Sequence, residues 1–378
     1  MGAHGCVGYA MHMSLPFDLV PHTRRTPAEQ LTEILMNPGF VKYFSDHMAM
    51  ATWTRSQGWH DSSIENYRRI EISPGTAVLH YGQEIFEGLK VYRHADGSIW
   101  LFRPEMNARR LIKSAQRLDL PELPEEDFLT SVNRLARVDE AWVPSGQEMS
   151  YYLRPFMFAD DEFLGVNSAS RVSYLVIGGP AAPYMADGMT PVDIWVTTRY
   201  SRTGEAGTGA AKCGGNYASA LIAQREGGEH GCSQVLFTDA ATHAWVEELG
   251  GMNFFAVTND GHLITPPTMG TILEGITRDS ILTLAPAQGL SVDIRPLSVE
   301  ELFSRVEAGE ITEAFACGTA AVVTPIGRLI HSFDGKVNTL PLASPLGEAT
   351  RALRSALVDI QWGRAKDIHG WMHEVTEL

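Results

Sequence analysis

A lysine in a glycine-rich segment is the strongest chemical signal in this sequence. Lys212 lies in GTGAAKCGGNYASAL, residues 207–221, directly before a stretch with a helical pattern. A rigid turn can hold such a lysine away from water, and a neutral amine held there can form a Schiff base with an aldehyde. A solvated loop lysine is the commoner interpretation of this pattern alone, so the later segments decide between the two.

Three later segments offer the groups that a phosphorylated, protonated aromatic aldehyde needs. Glu248, in VEELGGMNFF, can hold a proton on a pyridine nitrogen. LEGITRDS predicts a helix start, where the N–H groups of Ile276 and Thr277 and the helix dipole favour an anion. Thr319, in the predicted turn of ACGTAAVV, adds a hydroxyl beside further N–H groups. Singly, these residues would pass for a surface carboxylate, a helix cap and a strand residue; jointly they predict pyridoxal 5'-phosphate (PLP).

These segments belong to a longer series of motifs through which the chain resembles fold-type IV PLP enzymes, and within them the branched-chain amino acid aminotransferases. The series runs from HYGQEIFEGLK, residues 80–90, to the C-terminal helix, and includes LFRPEMNARRL, YYLRP, GTGAAKCGGNY, EELGGMN, LEGITR and ACGTAA. The resemblance implies reversible, ping-pong transfer of the amino group of leucine, isoleucine or valine to 2-oxoglutarate by a homodimer. It leaves open the preferred amino acid and whether the direction is biosynthetic or catabolic.

The resemblance also implies roles for individual residues. Lys212 carries PLP as a Schiff base and moves the substrate proton, Tyr217 bonds the phenolic oxygen of the cofactor, and Glu248 faces its pyridine nitrogen. A guanidinium fork suits phosphate oxygens better than a lysine does. The implied phosphate-binding residues are Arg110, the second arginine of NARRL, with Ile276, Thr277 and Thr319.

A substrate pocket with an apolar wall and groups for the α-carboxylate is implied as well. Tyr152 and Arg154 alternate with Leu153 in YYLRP, so on a strand they point to one face and can meet a carboxylate together. Aromatic residues on strands are often only core, and for Tyr184 that alternative stays open. The implied pocket residues are Phe86, Tyr152, Arg154, Tyr184 and Ala320, with Tyr81 and Lys90 at its flanks.

Two positions depart from the family pattern. Gly250-Gly251 stands where some relatives have a threonine, so side-chain support for the cofactor is expected to be missing there. Residues 321–324 read AVVT where mammalian members carry a CxxC pair, so no thiol switch is expected.

Composition narrows the class of protein. The formal net charge of −15 argues against a nucleic-acid partner. The four cysteines show neither a disulfide framework nor metal spacing, which indicates a reducing compartment. With no apolar run long enough for a membrane span and no signal layout at the start, the cytoplasm is the expected location. His369 and His373 lack a third ligand nearby, so no metal site is predicted.

Strand and helix signals are mixed without βαβ regularity, which predicts an α+β fold. Local signals include a helix capped by Thr26, a hairpin turn at residues 94–97, and a capping box from Ser298 to Glu301. The 378 residues are enough for two cores. We predict a small N-terminal α/β domain at 1–183, an interdomain connection at 184–198 and a larger C-terminal mixed α/β domain at 199–378, with PLP between the domains.

Two alternatives remain at this stage. The chain could be another fold-type IV enzyme, such as a D-amino acid aminotransferase or aminodeoxychorismate lyase, although YYLRP together with FEGLK favours the branched-chain branch. It could also be a PLP-binding regulator or carrier without turnover. The presence of Tyr217, Glu248 and Arg110 together speaks against that second alternative.

Overall fold

The computed structural model of this chain describes residues 14–21, 25–183, 189–333 and 335–376. In chain order the strands are β1 Asp18–Leu19, β2 His47–Thr54, β3 Gly58–Asn66, β4 Glu84–Phe86, β5 Leu89–Arg93, β6 Ile99–Phe102, β7 Ser150–Ala159, β8 Arg171–Ala181, β9 Val192–Val196, β10 Gln234–Thr238, β11 Val246–Leu249, β12 Asn253–Thr258, β13 His262–Thr265, β14 Ser291–Ile294, β15 Ile311–Gly318, β16 Val322–Phe333, β17 Lys336–Pro341 and β18 Met372–Glu374. The α-helices are α1 Ala28–Met36, α2 Ala77–Tyr81, α3 Pro104–Arg117, α4 Glu125–Val138, α5 Gly214–Glu229, α6 Ile276–Leu284, α7 Val299–Glu307 and α8 Glu348–Gln361, with short 3₁₀ turns at Glu140–Trp142 and Ala285–Gln288.

The strands of the described ranges form two nine-stranded sheets. The first runs in the order β1-β3-β2-β8-β7-β5-β6-β18, with β4 paired to β7. The second runs β11-β10-β9-β16-β15-β12-β13-β14, with β17 paired to β16. In the second sheet β9 is parallel to β10 and β16, whereas β15 is antiparallel to β12 and β16. The α+β prediction is therefore confirmed.

Helices cover the sheets with apolar stripes at helical spacing. On α4, Phe128, Val132 and Leu135 are fully buried against the first sheet. On α8, Leu353 and Leu357 belong to a cluster that also contains Tyr92 and Phe102 of the first sheet and strand residues of the second. This apolar stripe of α8 packs where the two sheets meet.

The domain division stays a prediction, and two strands fall across it. Residues 192–196 lie inside the predicted connection, yet they form β9, which pairs on both sides within the second sheet, because VDIWV is an apolar strand sequence. The C-terminal strand β18 pairs with β6 of the first sheet, away from the rest of its predicted domain. No helix among the described residues is both long and apolar enough to cross a membrane.

The local start and turn signals differ in how well they predict the structure. The prediction that Thr26 caps α1 was wrong. The Thr26 hydroxyl donates to Asp46 at 2.6 Å, and the helix begins after Pro27. The Ser298 cap is confirmed, since its Oγ accepts from the Glu301 N–H at 2.9 Å. The hairpin between β5 and β6 is confirmed as well, with Gly97 at a φ of 90°.

Candidate active site

A cavity of about 190 Å³ lies where the first sheet, α3 and the loops of the second sheet meet. It is lined by the predicted residues Phe86, Arg110, Tyr152, Arg154, Lys212, Tyr217, Glu248, Ile276, Thr277, Thr319 and Ala320. Tyr184 lies outside the described residues. Apart from Tyr184, the structure brings all the residues predicted for the cofactor and the substrate around one space.

Lys212 is half-buried in the irregular segment that leads into α5. Its Nζ donates to the Tyr217 hydroxyl at 2.7 Å and lies 4.7 Å from the centroid of the Phe86 ring. Its peptide is held on both sides, because the N–H donates to Ser114 Oγ and the C=O accepts from the Phe86 N–H, each at 2.9 Å. The amine therefore projects into the cavity from a fixed backbone.

Glu248 lies on β11 and is almost fully buried. Its carboxylate pairs with Arg202 at 2.6 Å and accepts from the Leu273 N–H at 2.9 Å and from Asn253 Nδ2 at 3.0 Å. Burial raises the pKa of Glu248 to about 6, against the opposing effect of Arg202. Neighbours on a strand face opposite sides, and Glu247 accordingly does not line the cavity.

Arg202 was missed from the sequence, because SRTGE carries no motif that marks a buried cation. Its side chain is 3% exposed, and it also donates to the carbonyl oxygens of Gly209 and Thr271. One guanidinium thus joins Glu248 to the segment that carries Lys212.

Arg110 reaches the cavity from α3. The helix begins at Pro104, so Arg110 lies in its second turn. Its Nε and Nη2 donate to the two oxygens of the buried Glu87, each at 2.8 Å, and Nη1 donates to the Glu274 carbonyl at 3.1 Å. Three of the five N–H donors of a guanidinium are used in this way, which leaves two for an anion. Glu87 orients the guanidinium of Arg110. This role was missed, because Glu87 lies in the motif FEGLK but nothing in that motif indicates an ion pair with Arg110.

The start of α6 is the second anion-binding element. Its N-cap is Gly275, and no described side chain caps the N–H groups of Ile276 and Thr277. Thr319 lies in the turn between β15 and β16, on the same cavity. An open helix start beside Arg110 fits a phosphate group.

Tyr152 and Arg154 face the cavity together, as predicted from YYLRP. Arg154 Nη2 donates to the Tyr152 hydroxyl at 3.1 Å, and the guanidinium lies 4.7 Å from the centroid of the Phe86 ring. Phe40 adds a second aromatic wall, its ring centroid 5.6 Å from that of Tyr152. No sequence signal marked Phe40, which lies in an irregular segment.

Of the two flanking residues, only Lys90 contacts a cavity residue. Its Nζ donates to the Ala320 carbonyl at 2.9 Å, and burial lowers the pKa of Lys90 to about 8. This bond ties the turn between β15 and β16 to the first sheet. Tyr81 instead donates to the Leu164 carbonyl at 2.6 Å and does not line the cavity, because the short helix α2 directs it outward.

The remaining reactive side chains have their own surroundings. Cys213 is buried in the core of the first sheet, although it follows Lys212 directly. Cys317 is fully buried, and burial raises the pKa of its thiol. His373 pairs with Glu105 at 3.1 Å, and His369 stacks on Trp371.

Comparison with known proteins gives a consistent result. Residues 84–329 match the family described as amino-transferase class IV. The chain is 49% identical over 363 residues to a branched-chain-amino-acid aminotransferase of Mycolicibacterium smegmatis, covering 94% of this chain and 98% of the relative.

Solved structures of the same kind share its architecture. The crystal structure of a branched-chain amino acid aminotransferase of Escherichia coli superimposes with a TM-score of 0.72 and 27% identity, covering 88% of this chain and 99% of that one. A branched-chain amino acid aminotransferase of Thermobaculum terrenum, solved in its PLP-form, has a TM-score of 0.70 at 24% identity, over 87% of this chain and 98% of that one.

Proposed function

The chain belongs to the class IV aminotransferases, among the branched-chain-amino-acid aminotransferases, and on that premise we propose that it uses PLP to exchange the amino group of leucine, isoleucine or valine with 2-oxoglutarate. The observation that carries the proposal is the convergence of four groups on one cavity: Lys212 with Tyr217, the buried Glu248, the fork of Arg110 and the open start of α6. The protein of Thermobaculum terrenum, which has the same fold, was solved with PLP.

The residues present fit PLP by their chemistry. Arg110 and the N–H groups of Ile276 and Thr277 would hold its phosphate. The carboxylate of Glu248 would hold a proton on the pyridine nitrogen, and Tyr217 would bond the phenolic oxygen. PLP bound there supplies an electron sink for negative charge at the substrate Cα.

Lys212 is the group that binds the cofactor aldehyde and moves the proton. Its Nζ has Tyr217 as a hydrogen-bond partner and an aromatic ring beside it, so it is partly shielded from water. Held on a fixed peptide, the same Nζ would take the proton from the substrate Cα and deliver it to the carbon that was the cofactor's aldehyde carbon, as amino-group transfer requires.

The other wall of the cavity would orient the substrate. The Tyr152 hydroxyl and the backbone at Ala320 would hold the α-carboxylate, while Phe86 and Phe40 offer an apolar surface for the aliphatic side chain. Arg154, stacked on Phe86, would pair with the distal carboxylate of 2-oxoglutarate when the second substrate enters. One cavity would then accept both an apolar and an acidic side chain.

The proposal includes a homodimer. Phe44 and Tyr67 stack at 4.8 Å between centroids although each is 41% exposed, and Leu79 is 55% exposed. Ile70 and Val78, close in sequence to Tyr67 and Leu79, pack against a small apolar cluster of the first sheet. A second copy would cover this surface. Sedimentation equilibrium should give twice the mass of the chain, and Leu79→Asp should weaken the association.

Glutamate formation from leucine and 2-oxoglutarate, measured with a coupled assay, tests the proposed reaction. We expect turnover with leucine, isoleucine and valine, and conversion of bound PLP to its pyridoxamine form by each of them. A panel of D-amino acids and aminodeoxychorismate serves as the comparison. Turnover confined to that panel, or PLP binding without any turnover, would refute the proposal.

A further inference from the structure

The start of α5 lies against a carboxylate from the other sheet. Glu84, on β4, accepts a hydrogen bond from the N–H of Gly214, the first residue of α5. The N-cap of this helix, Cys213, makes no side-chain cap of its own. Burial raises the pKa of Glu84, whereas the Gly214 N–H and the nearby Arg154 lower it.

The contact depends on the absence of a side chain at Gly214. A Cβ there would overlap the Glu84 carboxylate, whereas a Cβ on the neighbouring Gly215 would meet nothing. The chain therefore has one glycine that the contact requires, directly beside one that it does not require.

Glu84 acts on the same short segment as two other contacts. Ser114 and the Phe86 N–H hold the peptide of Lys212, and Glu84 holds the N–H two residues further on. All three contacts come from β4, which is a strand of the first sheet, and from α3, which packs on that sheet. Helix α5 itself packs on β10 of the second sheet. Lys212 is thus fixed to the sheet that carries Phe86 and Arg154.

We propose that Glu84 is a positioning residue, which caps α5 from the first sheet and so keeps Lys212 in register with Tyr217 and the substrate wall. The inference rests on the proposed function only for its kinetic consequence. A misplacement of about 1 Å can cost up to about a hundredfold in rate, and one contact of three carries part of this effect.

Substitution of Glu84 separates the hydrogen bond from the charge. Glu84→Gln keeps an acceptor for the Gly214 N–H, whereas Glu84→Ala removes it. We expect kcat with leucine to fall about tenfold in Glu84→Ala with little change in KM or PLP affinity, and to stay within about twofold of the parent enzyme in Glu84→Gln. Equal losses in both variants would show that the charge matters rather than the cap, and would overturn the proposal.

The glycine pair provides a matched test from the opposite side of the contact. Gly214→Ala should displace Glu84 and reproduce the kcat loss of Glu84→Ala. Gly215→Ala, in open space on the same turn, should keep the kcat of the parent enzyme. Equal kcat in the two alanine variants would contradict the proposal.

Amide hydrogen exchange tests the contact without any turnover. In the full-length protein, with and without PLP, Glu84→Ala should exchange faster at residues 212–217 than the parent enzyme, and Glu84→Gln should not. If leucine is not turned over at all, the proposed function fails while this measurement still decides the role of Glu84. Unchanged protection in Glu84→Ala would overturn that role.

Discussion

The N-terminal ends of α5 and α6 both adjoin the active-site cavity, but their first N–H groups differ in their hydrogen-bond partners. The Glu84 carboxylate accepts a hydrogen bond from the first N–H of α5, that of Gly214, two residues after Lys212. The first N–H groups of α6 have no side-chain cap among the described residues, and Arg110 donates to the carbonyl just before them. A helix start has unsatisfied donors that something must accept. At α5 the protein supplies the acceptor itself; at α6 the first N–H groups remain available, as the proposed phosphate site requires.

Helix α8, which contributes no residue to the cavity, is a second helix whose start is capped by a carboxylate from a strand. Glu313 on β15 accepts from the Thr350 N–H at 2.8 Å and from its hydroxyl at 2.6 Å. A Cβ on Gly347, the N-cap of α8, would overlap this carboxylate, as one on Gly214 would overlap Glu84. Within the described part of the chain, the starts of α1 to α4 also lack a side-chain cap. What sets α6 apart from them is that its first residues, Ile276 and Thr277, line the cavity.

Among the variants that test the comparison of α5 with α6, Lys212→Ala should have the largest effect on turnover. In Lys212→Ala both helix starts remain, so we expect PLP to bind through α6 while turnover falls by more than about 10⁴-fold. A positioned base alone supplies about 10²–10⁴-fold, and loss of the covalent link adds to this. Coupled glutamate formation and PLP retention on gel filtration measure the two outcomes.

The exposed Lys336 is the matched lysine control, and Lys336→Ala should keep the parent kcat. Near-normal turnover in Lys212→Ala would show that Lys212 is neither the base nor the covalent link to the cofactor.

Glu248→Gln should affect the rate more than cofactor binding. The amide keeps the shape beside Arg202 but cannot offset a charged pyridine ring in a buried site, so the electron sink weakens. We expect kcat to fall about a hundredfold, while PLP affinity changes less than about fivefold. A hundredfold change in rate corresponds to a loss of roughly two pKa units in the stabilisation of the protonated pyridine ring. Stopped-flow half-reactions with leucine measure the rate. If they run at the parent rate, Glu248 is a structural carboxylate that holds Arg202 rather than a partner of the cofactor.

Arg110→Ala should weaken phosphate binding beside the start of α6 and should leave Lys212 in place. Charge-assisted hydrogen bonds contribute about 1.5–3 kcal/mol, so PLP affinity should fall roughly ten- to hundredfold, and added phosphate should compete less well. Arg109→Ala is the control, because the preceding arginine pairs with Glu125 on the surface at 3.0 Å. Fluorescence titration with PLP gives both affinities. Equal affinity in the two variants would mean that Arg110 does not hold the phosphate.

The sequence was sufficient for the family, the α+β class and eleven residues that line the cavity, because each of those residues lies inside a motif with its own chemistry, but it did not mark Phe40. It was not sufficient for Arg202, Glu87 and Glu84, whose partners lie 46, 23 and 130 positions away in the chain. Ion pairs and caps of this kind form only when separate elements are packed together, and no local pattern records them. The false cap at Thr26 has the same cause, since Asp46 competes for its hydroxyl.

Glu313→Ala should have the smallest effect on catalysis and isolates what a carboxylate cap contributes to stability. It leaves the buried Thr350 hydroxyl and the first N–H groups of α8 without their acceptor, which costs about 2 kcal/mol by the usual size of such losses. The urea midpoint should fall while kcat with leucine stays near the parent value, because no residue of α8 itself lines the cavity. Glu313→Gln, which keeps an acceptor, should recover part of the stability. A kcat loss in Glu313→Ala as large as that in Glu84→Ala would mean that carboxylate caps act on turnover through general loosening of the fold, and the distinction drawn between α5 and α8 would not stand.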